Sequence, residues 1–103
     1  IDGVICFSKS SDYQNAIPNH DAIKKINSLF AQGHEIIIFT ARYMGRTNNK
    51  PEEAKKLGYD STFKQLKLWK LKFNKLVFGK PSYDILVDDK AFNYSKDWIN
   101  KIN

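Results

Sequence analysis

Cysteine is almost absent: Cys6 is the one thiol among 103 residues. No disulfide can close within the chain, so the fold must rest on a packed core, and a reducing compartment, the cytoplasm, fits this usage. No apolar run approaches the roughly 20 residues that a membrane-spanning helix needs, so no membrane role is expected. No secretory signal pattern is visible either. Proline, at three residues, and glycine, at five, are too sparse for a linker, a collagen-like repeat or a low-complexity chain. Acidic residues are the minority, 11 against 17 Lys and Arg, which leaves a net charge of +6. A basic balance raises nucleic acid as a partner. Most of the lysines, however, fall opposite apolar stripes at helical spacing, where they serve solubility.

What is present suffices for one domain. Apolar residues make up 42% of the chain and aromatics 14%, enough to bury roughly 60–70% of the surface that an unfolded chain of this size exposes. Ile1 to Phe7 reads as the end of a buried strand, and the polar stretch from Ser8 to Pro18 as a loop. Asn19 or Asp21 can cap a helix whose stripe is Ala22, Ile23, Ile26, Leu29 and Phe30, ended by Gly33. Glu35 to Phe39 is a two-faced apolar strand of the kind found inside parallel sheets. Pro51 opens a short helix that Gly58 closes. Ser61 caps a second, with Phe63, Leu66, Trp69 and Phe73 facing the core and Lys64, Lys67 and Lys70 facing out. "KLVFG" and "DILVD" read as two further strands, and Ser95 caps a last helix carrying Trp98 and Ile102. Alternating strands and helices predict an α/β layered sheet.

Each expected strand ends in a group with chemistry. The first ends at Asp2-Gly3, the second at Thr40, and Lys80 follows the third. Asp88 and Asp89 close the fourth. Ligands of open parallel sheets bind beyond the carboxyl ends of the strands. Taken singly, Asp2-Gly3 is an ordinary turn, Thr40 a strand-end hydroxyl and Lys80 a solvated lysine. Adjacent carboxylates at a buried strand end repel each other unless a cation lies between them. Together the four predict one cleft holding a divalent cation and a phosphoryl group, since Mg²⁺ favours hard oxygen ligands and phosphoryl oxygens favour cations and hydrogen-bond donors.

These stretches resemble the motifs of the haloacid dehalogenase superfamily of phosphohydrolases. "IDGV" resembles the first motif without its leading Asp, and "IIIFTAR" the second. "FGKP" resembles the third and "ILVDD" the fourth. "FTARYMGRTN" and "FGKPSYDILVDDKAFN" are similar, more narrowly, to the short capsule-biosynthesis phosphatases. The resemblance implies a three-layer, Rossmann-like fold with a mainly parallel sheet and a minimal cap or none. Residues 1–103 would be one catalytic domain, with the first strand and a nucleophilic Asp lying just before Ile1.

It further implies a Mg²⁺-dependent phosphatase of the cytoplasm. The enzyme would hydrolyse a small phosphorylated metabolite, such as a sugar phosphate of surface polysaccharide biosynthesis, through an aspartyl-phosphate. Asp2 would be the general acid and base. Its backbone carbonyl, with Asp88 and Asp89, would hold the metal. Thr40 and Lys80 would bind and neutralise the phosphoryl oxygens, aided by the N–H groups of Gly3 and Ala41. Read from the residues themselves, Arg42 and Arg46 either meet an anionic part of the substrate or are simply solvated. Two alternatives stand beside this reading: a nucleic-acid end phosphatase, and a non-catalytic binding module of the same fold. A homo-oligomer is compatible with all three. The few residues between "LVFG" and "DILVD" are too short for a parallel crossover, which leaves the pairing of those two strands open.

Overall fold

Pro51 fixes φ at the first position of the longest helix, where its missing N–H costs nothing, and Glu52 and Glu53 complement the positive end of the dipole. The computed structural model describes residues 1–102. In order, the elements are β1 (Cys6–Phe7), a 3₁₀ turn (Tyr13–Asn15), β2 (Ile17–Pro18), α1 (His20–Ala31), β3 (Ile37–Thr40), α2 (Pro51–Leu68), β4 (Lys75–Phe78) and α3 (Trp98–Lys101). None of the helices among these residues is long and apolar enough to cross a membrane.

The two expected helices between Pro51 and Phe73 are one. Gly58 does not stop α2 but lies buried in its middle, at a cost of about 1 kcal/mol relative to Ala. The helix continues because Ala54, Gly58, Thr62 and Leu66 form a buried stripe along it. As expected, Lys64, Lys67 and Lys70 are exposed, Leu66 is fully buried, and Phe63, Trp69 and Phe73 pack at the margin of the core.

Both long helices end in the same way. At α1, His34 N–H reaches Leu29 O and Gly33 N–H reaches Phe30 O, with Gly33 at φ +96°. At α2, Leu71 N–H reaches Leu66 O and Lys70 N–H reaches Lys67 O. These are paired C-terminal caps that need a left-handed residue. Lys70 fills that place at φ +61° without being glycine. Asn19 caps α1 by accepting from Ala22 N–H at 3.2 Å. Asn27 then ties α1 to the end of α2, donating to Lys70 O at 2.9 Å and accepting from Lys72 N–H at 2.7 Å.

The sheet corrects the expected architecture. Among the described residues there are four short strands in two separate pairs, β1 with β2 antiparallel and β3 with β4 parallel. This is a small α/β fold, not a three-layer Rossmann-like one. β4 is parallel to β3, with Ile37 opposite Lys75 and Thr40 opposite Phe78, and this settles the pairing of "KLVFG". "DILVD" is not a strand. Ile85 and Val87 are 82% and 93% exposed, and among the described residues no strand pairs with them to satisfy their backbone.

The physical reason lies in the two faces of β3 and β4. Ile38, Leu76 and Phe78 turn inward to meet Ala54 and Leu66 of α2. Ile37, Phe39 and Val77 turn outward and stay partly exposed. Apolar character on both faces suggested burial on both sides, but helical cover reaches one side only. The strand expected from Ile1 to Phe7 shrinks to Cys6–Phe7, because Gly3, at φ +87°, turns the chain back so that its N–H reaches Cys6 O.

Candidate functional site

A cavity of about 540 Å³ opens where the carboxyl end of β3 meets the loops around it. Asp2, Thr40, Ala41, Arg42, Arg46 and Lys80 all line it. Their spread from one end of the chain towards the other makes that assembly a product of folding. Asp2 supplies the one acidic side chain of the lining, against Arg42, Arg46 and Lys80.

Two features of β3 and β4 build the floor. Thr40, the last residue of β3, is 2% exposed, and its Oγ1 accepts from Arg42 N–H at 3.1 Å. Its carbonyl accepts from Lys80 N–H at 3.1 Å, which continues the parallel ladder one step past β4. Gly79, at φ +104°, makes the turn that delivers Lys80, a conformation that side chains other than glycine's avoid.

Arg42 is the structural centre. Its guanidinium is 2% exposed and grips Asp2 with two bonds, Nε to Oδ2 at 2.8 Å and Nη2 to Oδ1 at 3.0 Å. Nη1 donates to Gln65 Oε1 at 2.7 Å and to Thr62 Oγ1 at 3.4 Å, both on α2. Gln65 in turn donates to Tyr13 O at 2.6 Å. One buried cation therefore joins the N-terminal segment, α2 and the 3₁₀ turn. Burial opposes the charge on Arg42, but the Asp2 carboxylate outweighs it and raises the pKa. For Asp2, burial likewise opposes ionisation, yet the Arg42 hydrogen bonds and charge dominate and hold the carboxyl below its usual range. Cys6, buried beside the pair, has its thiol pushed up to about 11 by burial first and by Asp2 second.

The remaining expected site residues lie elsewhere. Gly3 is exposed and outside the cavity lining, and its N–H is engaged by Cys6 O. Asp88 and Asp89 are exposed, belong to no element and do not line the cavity. The Asp88 carboxylate instead accepts from Lys90 N–H at 2.7 Å, a local turn. The expected convergence thus gathers Asp2, Thr40 and Lys80 but leaves out the acidic pair. The cause is the same as for the missing strand: without "DILVD" in the sheet, nothing carries its terminal carboxylates to the end of β3.

Sequence reasoning gave no role at the site to Tyr13, Tyr43, Thr62 or Gln65, and read Gly58 only as the end of a helix. Tyr13 and Tyr43 meet edge to face with centroids 5.0 Å apart and line the cavity. Gln65 carried no signal, since a glutamine on a lysine-rich helix reads as solvated.

No protein-family model matches the chain, and no curated protein does. Among solved structures, the crystal structure of a structural-genomics target from Vibrio cholerae is similar, with a TM-score of 0.82 at 23% identity. The match covers 98% of this chain and 89% of that one. At that identity the likeness concerns the fold alone.

Proposed function

We propose that this chain binds a phosphate monoester in the cavity and serves as a phosphatase for a small phosphorylated metabolite, on the pattern of the haloacid dehalogenase phosphohydrolases. The observation that carries the reading is the meeting of Asp2, Thr40 and Lys80 in one cavity rich in cationic side chains. Phosphoryl oxygens take charge-assisted hydrogen bonds from an ammonium group such as that of Lys80. Thr40 and Ala41 place polar backbone and hydroxyl groups at the end of β3 beside it. The narrower resemblance in "FTARYMGRTN" adds a substrate class, a sugar phosphate used in making surface polysaccharide.

The proposed roles differ in part from those that the motifs imply. A general acid must hold a proton to give away. Asp2 is kept ionised by Arg42, so in this arrangement it orients Arg42 and shapes the cavity. Mg²⁺ is the cofactor that the resemblance implies, and the residues as placed do not fit it. Both Asp2 oxygens accept from Arg42, Asp88 and Asp89 lie outside the cavity, and among the described residues no three His, Cys, Asp or Glu side chains group to hold a metal ion.

A second reading, an anion-binding module without turnover, is favoured by that engagement of Asp2. No observation favours a nucleic-acid end phosphatase: Lys64 and Lys67 on α2 and Lys70 just past its end are exposed, and none lines the cavity.

The experiment is calorimetric titration with inorganic phosphate, alongside hydrolysis of 4-nitrophenyl phosphate with and without added Mg²⁺. Lys80→Ala should weaken phosphate binding by about tenfold or more, the worth of one charged hydrogen bond, with little change in melting temperature. Turnover by the natural chain supports the phosphatase. Binding without turnover supports the module, and no binding by either protein overturns both.

A further inference from the structure

Of the three cationic side chains in the cavity, Arg42 is taken up by Asp2, Gln65 and Thr62. Lys80 and Arg46 are not: neither forms an ion pair among the described residues. Arg46 is exposed, yet it is held. Its guanidinium carbon lies 4.8 Å from the Tyr43 ring centroid and 5.4 Å from that of Tyr13. One Nη2 hydrogen bond, 2.9 Å to Ser11 O, ties it across to the opposite loop. One of its five donors is thereby engaged, and the planar fork that matches a carboxylate or a phosphate is left available.

The platform beneath Arg46 rests on two locally unfavourable choices. Tyr43 sits at φ +66°, a left-handed conformation that a bulky aromatic rarely adopts. Gly58 occupies the middle of α2, where glycine is among the poorest helix formers. The two are one arrangement. A Cβ at residue 58 would fall inside the envelope of the Tyr43 ring, at Cε2 and Cδ2, and 3.2 Å from Phe78 Cε2. Gly58 therefore makes the notch that receives Tyr43, and Tyr43 with Tyr13 holds the guanidinium over the cavity. Backbone strain and a mid-helix glycine that converge on one exposed cation point to a requirement on where that cation sits.

We infer that Arg46 is a second anion-binding arm of the cavity, so that its ligand is a phosphate monoester bearing a further anionic group. Gly58 is a positioning residue that acts through Tyr43. This rests on the proposed phosphoryl site at Lys80 and narrows its substrate class. The second anion is a carboxylate or another phosphate, which share the chemistry that a guanidinium reads.

The test is calorimetric titration of the full chain with inorganic phosphate, glycerol 3-phosphate, 3-phosphoglycerate and a three-carbon bisphosphate. The natural protein should bind one of the two-anion probes about tenfold more tightly than glycerol 3-phosphate, as one charge-assisted contact is worth. The probe preferred, carboxylate or bisphosphate, tells the two sources apart. Arg46→Met should bring that preference ratio near one, and Gly58→Ala should lower it in the same direction. Should Gly58→Ala fail to fold, the Arg46→Met ratio decides alone. A natural protein without the preference, or an Arg46→Met protein that keeps it, overturns the inference while phosphate binding preserves the functional reading. Failure of inorganic phosphate and every other probe to bind overturns both.

Discussion

Arg42→Met tests the claim that a buried ion pair organises the site. Methionine keeps much of the apolar stem and fills the space, so the loss is mainly polar. Two bonds to Asp2 disappear, together with those to Gln65 and Thr62. Removing one partner of a buried pair typically costs about 3–5 kcal/mol, because the other charge stays buried and unpaired. The Asp2 side chain is 26% exposed, so water recovers part of this, and we expect about 2–4 kcal/mol. A domain of this size holds only about 5–10 kcal/mol in total, so the variant should melt roughly 10–20 °C lower. Denaturant titration followed by the fluorescence of Trp69 and Trp98 measures the change. Adding Asp2→Asn should restore part of the loss, since the stranded charge is then gone.

The pH dependence supplies an independent sign. The pKa of Asp2 is lower in the folded state, so its contribution is complete above the unfolded carboxyl pKa, about 4. It is lost as the pH falls from there through the folded value. In Arg42→Met that acid-side loss should flatten. A variant within about 0.5 kcal/mol of the natural chain, with the acid limb unchanged, would refute the reasoning, since surface substitutions fall in that range.

Two further predictions concern stability. Lys70→Gly should raise it by about 0.5–1 kcal/mol, because Lys70 holds a left-handed cap position, φ +61°, that glycine adopts without strain; a thermal melt reads the gain. The Cys6 thiol is raised to about 11 from an ordinary 9, so it contributes stability below pH 9 that is lost as pH rises towards 11. Between pH 8 and 10.5 the natural chain should therefore lose about 1–2 kcal/mol more than Cys6→Ala, measured by denaturant titration at both pH values.

The helices were legible in the sequence because their signals are local. Asn19, Gly33 and Pro51 mark boundaries by backbone chemistry that needs no partner, and the stripe through Leu66 fixes which face of α2 is buried. The break expected at Gly58 went wrong for a tertiary reason: the glycine serves the ring of Tyr43, fifteen positions earlier. The sheet was legible only in part. Ile38 and Leu76 found a neighbouring strand and a helix to cover them, whereas Ile85 to Val87, equally apolar, found neither. The site followed the sheet. Thr40 and Lys80 come together because β3 and β4 pair in parallel register, and Asp88 and Asp89 stay apart because no strand carries them in. Arg42 was read as a contact for substrate because its charge is visible in sequence and its burial is not.

Chemical-shift mapping of the ¹⁵N-labelled chain during titration with inorganic phosphate tests the central claim most directly. The account predicts saturable shifts concentrated at the amides of Thr40, Ala41 and Lys80, with Lys64, Lys67, Lys70, Asp88 and Asp89 unmoved. Shifts that spread along the lysines of α2 without saturating, or none at the end of β3, would contradict it.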